Sequence, residues 1–174
     1  MRTPSTCSIV ALSVLVLIVT SARVRASDAP TDIIATGPTA SSDRDAIDAA
    51  LALLPSRPDR IAVLDVSQNR PEVRSYLLTL DAFTVKGNGV IYVVQQSEVL
   101  MRARSGALLF RAMLATILWH EMAHLAGEDE HGARTAEEDL WKQFVRDGVA
   151  DEVTSLRYLD ALRRRPDDML MASR

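Results

Sequence analysis

The 174-residue sequence predicts an α+β fold that is mainly helical, with a small β-sheet around one buried helix. The buried helix is expected within residues 105–127, where apolar side chains cover most of the helix circumference. Two short runs rich in β-branched residues, 60–66 and 90–94, predict strands. Helical spacing of apolar residues at 130–145 and 151–162 predicts two further helices.

The first 26 residues have the pattern of a secretory signal peptide. Arg2 precedes an apolar run over 9–19, and Ala26 precedes an expected cleavage site before Ser27. The run is short for a bilayer span, although an uncleaved N-terminal anchor is the alternative. We therefore expect a secreted or periplasmic protein whose mature form has no membrane segment.

The charge and the cysteine content exclude several classes of partner and site. Lys and Arg number 20 and Asp and Glu number 23, so the formal net charge is −3 and no basic footprint for nucleic acid exists. Arg163 to Arg165 are interpreted as the solvated end of a helix. The one cysteine, Cys7, lies in the expected signal peptide. Any metal in the mature chain is therefore expected to have nitrogen and oxygen ligands.

Four segments are expected along the chain. The signal peptide, 1–26, is followed by a flexible lead-in, 27–42, which is rich in Ser, Thr, Ala, Asp and Pro. A single domain is expected over 43–166, a length that can bury a core, and a tail over 167–174. The sequence does not indicate an oligomeric state.

The first half of the domain alternates helices and strands. Ser42 is the expected cap of a first helix that ends before Pro55. The strand at 60–66 comes next, and Pro71 then starts a second helix. The segment 78–85 would also fit a strand, so a strand is the alternative to the C-terminal part of this helix.

A turn at 86–89 leads into 90–94, the strongest strand signal in the chain. The two glycines of the turn precede a strand and lack a following G-K-[ST], which excludes a phosphate loop. Ser97 is expected to cap a short helical turn, Ser105 to cap the buried helix, and Gly127 to end it.

Within the buried helix, His120, Glu121 and His124 form an H-E-x-x-H pattern. Side chains four apart lie on one face of a helix, so the two histidines can bind a single ion. Glu121 stands beside that ion, where it can take a proton from a bound water. The 3 histidines of the chain, His131 being the other, fall within twelve consecutive residues, which packing alone does not explain. An accidental motif in a helical exported protein is the competing interpretation.

A catalytic zinc site needs a third protein ligand. The inner face of the helix at 130–145 carries Ala133, Leu140, Trp141 and Phe144. Glu137 points into the middle of this apolar face, where a carboxylate is unfavourable unless it meets a cation. Metal ligation makes Glu137 the first choice, and an internal ion pair with Arg111 or Arg134 is the alternative. Glu130, seven residues earlier on the same face, is the second choice.

These residues resemble the zincin metallopeptidases. The motif over 120–124 matches the active-site helix of that family, and Glu137 resembles the glutamate ligand of its gluzincin branch. The metzincin branch extends the motif to H-E-x-x-H-x-x-G-x-x-H. Gly127 fits that extension, but position 130 is a glutamate and His131 comes one residue too late.

The resemblance covers 117–145 and implies a zincin-like minimal domain that uses Zn²⁺ to hydrolyse peptides or proteins. Glu121 would be the general base, and the strand at 90–94 would be the edge strand along which an extended peptide binds. Candidates for an oxyanion donor are His131, Tyr158 and Arg134. The alternative function is that of a non-catalytic exported domain with a binding or inhibitory role. Separately, Asp151 and Pro166 are expected to mark the start and the end of the last helix.

Overall fold

A computed structural model describes residues 30–164, which form a four-stranded mixed sheet and six helices. The strands are β1 (Asp32–Ile34), β2 (Arg60–Leu64), β3 (Ala82–Thr84) and β4 (Ile91–Val94). Their order in the sheet is β1-β2-β4-β3, with β1, β2 and β4 parallel and β3 antiparallel to β4. The expected signal peptide, the expected tail and Pro166 lie outside the described residues.

The helices make up the larger part of the fold, which is therefore α+β and mainly helical, as predicted. They are α1 (Ala40–Leu51), α2 (Pro71–Leu77), α3 (Glu98–Ala103), α4 (Leu108–Leu125), α5 (Glu130–Arg146) and α6 (Glu152–Arg164). In the part of the chain that the structure covers, no helix combines the length and the apolar character needed to cross a membrane.

Helix α4 is the central element of the fold. It packs against α5, α3, α1 and β3, and its middle turns contribute Ala112, Leu114, Ala115, Ile117 and Leu118 to the main core. The side chains of this helix are apolar around most of its circumference because other elements pack against it on several sides. The prediction of a buried helix that carries the histidine motif is confirmed.

The strand predicted at 90–94 forms as β4, but its predicted place at the edge of the sheet is wrong. Val93 pairs with Val63 of β2 on one side and with Ala82 of β3 on the other. Every residue of β4 is apolar or aromatic, and three of the four are buried, which is typical of a strand inside a sheet. The edge strands of the sheet are β1 and β3.

The lead-in predicted over 27–42 contains regular secondary structure at 32–34 and again from residue 40, where α1 begins. Asp32–Ile34 forms β1, and each of its residues pairs with β2. The strand is only three residues long, and its two isoleucines stand among turn-forming residues. Its stability comes from pairing with β2, which is remote in sequence.

Two residues that were predicted to cap helices, Ser42 and Ser105, are not at the helix starts. Helix α1 begins at Ala40, after Thr39, whose hydroxyl donates to Asp43 Oδ2 over 2.9 Å, so Ser42 lies inside the helix. The Ser105 hydroxyl donates back to a carbonyl of the preceding turn, and α4 begins only at Leu108. By contrast, Ser97 Oγ accepts the Leu100 N–H and caps α3 as predicted.

Candidate metal centre

The corner between α4 and α5 brings the candidate ligands together. Gly127 has a φ of +97°, a left-handed conformation that ends α4, as predicted. Asp129 then caps α5, because its Oδ1 accepts the backbone N–H of Gly132 over 2.9 Å. The short connection makes α5 pack back along α4. The first turns of α5 therefore lie beside His120 and His124.

Three donor atoms converge at this corner. Nε2 of His120 lies 3.1 Å from Nε2 of His124. Oε2 of Glu130 lies 3.3 Å from the His124 Nε2 and 3.7 Å from the His120 Nε2. These side chains form the group of potential metal ligands among residues 30–164.

The spacing of the three atoms fits a tetrahedral metal ion. Ligands bonded at about 2.0–2.1 Å in a tetrahedron lie roughly 3.3–3.4 Å from one another. The observed separations of 3.1, 3.3 and 3.7 Å bracket this value. Two imidazoles and one carboxylate, with no thiolate, suit Zn²⁺ and the neighbouring first-row divalent ions. His120, His124 and Glu130 could therefore hold such an ion and leave a fourth position open.

Both imidazole rings are oriented by a contact at the other ring nitrogen. His124 Nδ1 lies 3.1 Å from the backbone oxygen of Glu128. His120 Nδ1 lies 3.0 Å from Oε2 of Glu137. A hydrogen on the His124 Nδ1 would satisfy the Glu128 oxygen, whereas the His120 Nδ1 and the Glu137 Oε2 lie within ion-pair distance without a hydrogen bond of regular geometry. With a hydrogen on each Nδ1, each Nε2 keeps a lone pair. The two rings thus present the nitrogen that a metal requires.

The third donor is oriented in the same way. Arg134 Nε donates to Oε1 of Glu130 over 2.6 Å, one helical turn along α5. This bond occupies one carboxylate oxygen and leaves Oε2 directed at the histidines. The side chain of Glu130 is 19% exposed, so the donor group lies at the rim of the core.

Glu137 was the first choice for the third ligand, and the structure places it elsewhere. Its carboxylate is fully buried and faces Nδ1 of His120, whereas Glu130 lies at the Nε2 atoms. Glu130 is the first residue of α5, and Glu137 follows two turns later, about 10 Å along the axis. The buried carboxylate of Glu137 accepts a hydrogen bond from the Tyr158 hydroxyl at Oε1 and faces Nδ1 of His120 with Oε2.

Glu121 lies next to the donor group in a small cavity. The cavity has a volume of about 180 Å³, and His120, Glu121 and Glu130 line it together. Its remaining walls come mainly from Thr79, Leu80, Asp81, Ala82, Ile117 and Leu162. Glu121 is only 7% exposed, and the Thr84 side chain on β3 lies close enough to its carboxyl to act on its pKa, in the lowering direction. The carboxylate is therefore held between α4 and the edge strand.

The pKa values of two site residues are raised. Burial raises the pKa of the Glu121 carboxyl, although the charges of His120 and His124 act in the opposite direction. Burial acts to lower the pKa of His120, but the contact with Glu137 and the charge of that carboxylate outweigh it. The pKa of His120 therefore lies above its ordinary value. Carboxylates surround the donor group closely enough to favour a cation there.

The three candidate oxyanion donors differ in position. Arg134 lines the cavity that holds Glu121. Tyr158 is buried, and its hydroxyl donates to Glu137, while His131 is exposed on the outer side of α5. Only Arg134 of the three is therefore placed at the site. The sequence did contain a signal for its contact with Glu130, since the two residues are four apart on a helix.

Sequence reasoning did not place Thr84 at the site. Its contact with Glu121 joins an edge strand to a helix that lies 37 positions later in the chain, and no local pattern indicates such a pairing.

Comparisons of the chain with protein-family models, with curated proteins and with solved structures find no match. The functional argument therefore depends on the geometry of the site.

Proposed function

We propose that this chain is an exported zinc-dependent peptidase that hydrolyses peptide bonds. The observation that supports this proposal is the triangle of donor atoms from His120, His124 and Glu130 with Glu121 in the same cavity. A structural zinc site closes all four positions with protein ligands, whereas three ligands beside an acidic residue are typical of a catalytic one. The export component depends on the signal-like pattern of residues 1–26.

The residues of the site would divide the work as follows. His120, His124 and Glu130 would hold the ion, and Zn²⁺ when bound supplies a Lewis acid that acidifies water and polarises a carbonyl. Glu121 would accept the proton of the attacking water and pass it to the leaving amine. Thr84 would orient the Glu121 carboxylate for this transfer.

The position of β3 supports a peptide as the substrate. This strand pairs on one side only within the described part of the chain, so its other edge offers backbone groups to an extended segment. Ala82 of β3 lines the cavity, and Thr84 contacts Glu121. A peptide paired along this edge would pass directly in front of the general base.

Metal dependence of hydrolysis is the test of this proposal. The purified protein should contain about one zinc per chain and should cleave an unstructured protein such as denatured casein. A chelator should abolish cleavage, because the carboxylate and imidazoles alone do not activate water sufficiently. Added Zn²⁺ should restore it. Cleavage is measured by the release of amine groups, and zinc by elemental analysis.

Two results would contradict the proposal in different ways. Cleavage that persists after complete removal of zinc would exclude metal-assisted hydrolysis. Stoichiometric zinc without cleavage of any unstructured protein would indicate the alternative function, a non-catalytic binding or inhibitory domain. A preparation boiled before the assay serves as the control for spontaneous hydrolysis and for contaminating heat-stable peptidases.

A further inference from the structure

A buried chain of polar groups connects the last helix to the donor group. Oγ1 of Thr116 on α4 lies 2.8 Å from the hydroxyl of Tyr158 on α6. That hydroxyl donates to Oε1 of Glu137 on α5, and Oε2 of the same carboxylate faces Nδ1 of His120 at 3.0 Å. Thr116 and Glu137 are fully buried, and Tyr158 is 6% exposed. These polar groups therefore lie within the core of the protein.

The hydrogen of the Tyr158 hydroxyl points toward Glu137. The Tyr158 hydroxyl has a single hydrogen, which it gives to Glu137. The Thr116 hydroxyl can then donate to the Tyr158 oxygen, as an alternative to its contact of 2.9 Å with the Met113 carbonyl. Donors placed in sequence strengthen one another in a region of low dielectric constant. The carboxylate of Glu137 is thus fixed from the side opposite to His120.

A second contact on the carboxylate matters because of the freedom of its terminal torsion. The last torsion of a glutamate side chain has a broad, nearly two-fold distribution, so one contact does not determine its angle. With Tyr158 at Oε1, Oε2 is directed at His120. The two atoms are close but not joined by a regular hydrogen bond in this structure. In the zinc-bound protein, a hydrogen bond between them would set the angle of the imidazole ring and with it the direction of the His120 Nε2 lone pair.

Packing fixes the ring of Tyr158 independently of its hydroxyl. The ring centroid lies 4.1 Å from that of Trp141 on α5. Trp141 in turn donates its Nε1–H to Ser155 Oγ over 3.0 Å, within the same interface between α5 and α6. The core therefore supports the ring through contacts that do not involve the metal centre.

We propose that Tyr158 is a positioning residue of the metal centre, acting on His120 through Glu137. Helix α6 is thereby a functional part of the site, although it supplies no ligand. This inference rests on the proposed function, since it assumes that His120 is a ligand. It assigns to α6 a contribution to zinc affinity and to the geometry of the bound ion.

The variant Tyr158→Phe tests this inference. It removes the hydroxyl and keeps the ring against Trp141, so the fold should be retained. We expect zinc affinity to fall about tenfold, at the lower end of the 10–100-fold range for outer partners of metal ligands. The dissociation constant is measured by competition with a chromogenic chelator. The visible absorption of the Co²⁺-substituted protein should also change, because the angle of the His120 ring changes.

Ser155→Ala is the matched control, since it removes a buried hydrogen bond from the same interface without touching Glu137. It should lower the melting temperature and leave the zinc dissociation constant and the Co²⁺ spectrum unchanged. In a Glu137→Gln background, Tyr158→Phe should cause little further loss of zinc affinity, because the two residues act through one path. Equal losses in both backgrounds would indicate a separate, structural role.

Different outcomes distinguish this inference from the proposed function. If the wild type binds zinc and Tyr158→Phe binds it equally well, the positioning role is wrong and the proposed function stands. The same holds if Ser155→Ala weakens zinc binding as much as Tyr158→Phe does. If the wild type binds no zinc, both the positioning role and the proposed function are wrong.

Discussion

Replacing Glu130 by alanine should remove the metal site and leave the fold in place. The carboxylate supplies one of the three donor atoms, and its Oε2 lies 3.3 Å from the His124 Nε2. Zinc affinity should fall by more than about 100-fold, beyond the range seen for outer partners of ligands. Calorimetric titration of the zinc-free protein measures this loss.

Two further variants test whether this loss of zinc affinity is specific to Glu130. Glu128→Ala removes an exposed carboxylate from the same segment and keeps the backbone oxygen that contacts His124 Nδ1, so its zinc affinity should equal that of the wild type. Glu137→Gln should weaken binding by about 10–100-fold, the effect of an outer partner. If Glu137→Gln abolished binding and Glu130→Ala preserved it, the ligand assignment would have to be reversed.

Replacing Glu121 by glutamine should separate metal binding from catalysis. Glutamine has nearly the same shape and can still accept a hydrogen bond from Thr84, but it cannot accept a proton from water at neutral pH. The rate of peptide hydrolysis should fall by about 10²–10⁴-fold, the contribution of a general base. Zinc affinity should remain within about threefold of the wild-type value, since Glu121 is not a ligand in this account. Steady-state cleavage of a fluorogenic peptide and zinc titration measure the two quantities.

Glu128→Gln is the control for this experiment, because it makes the same chemical change on the exposed surface next to the site. Its rate should match that of the wild type. Full activity in Glu121→Gln would show that another group is the base. Loss of zinc together with activity would show that Glu121 contributes to metal binding, which the present assignment does not allow.

The two histidines and Glu121 could be predicted from sequence because their relation is local. A spacing of four on one helix determines that His120 and His124 share a face, whatever surrounds that helix. The stop at Gly127 is equally local, since it depends on the backbone freedom of one residue. Those features depend on few contacts outside α4.

The choice between Glu130 and Glu137 could not be made in this way. Residues seven apart differ in direction by only about 20° around a helix, so periodicity places both glutamates on the same face. Their distance along the axis relative to His120 and His124 separates them. That distance depends on where Asp129 starts α5 and on how α5 packs against α4, which are tertiary features.

The sheet, too, could be predicted from local sequence only in part. The residues 90–94 indicated a strand because each is β-branched or aromatic, and this was confirmed. The position of β4 between β2 and β3 depends on partners 7 to 30 residues away, which the strand itself does not specify. The edge that faces the site was therefore assigned to the wrong strand.

The position of a bound zinc ion is the most direct test of the metal centre. Crystals grown with Zn²⁺ should give an anomalous difference peak at the zinc edge, about 2.0–2.2 Å from Nε2 of His120, Nε2 of His124 and one oxygen of Glu130. Glu137 should contact Nδ1 of His120 in the same map. A peak bonded to Glu137 in place of Glu130, or a zinc-loaded crystal with no peak at these three residues, would contradict the account.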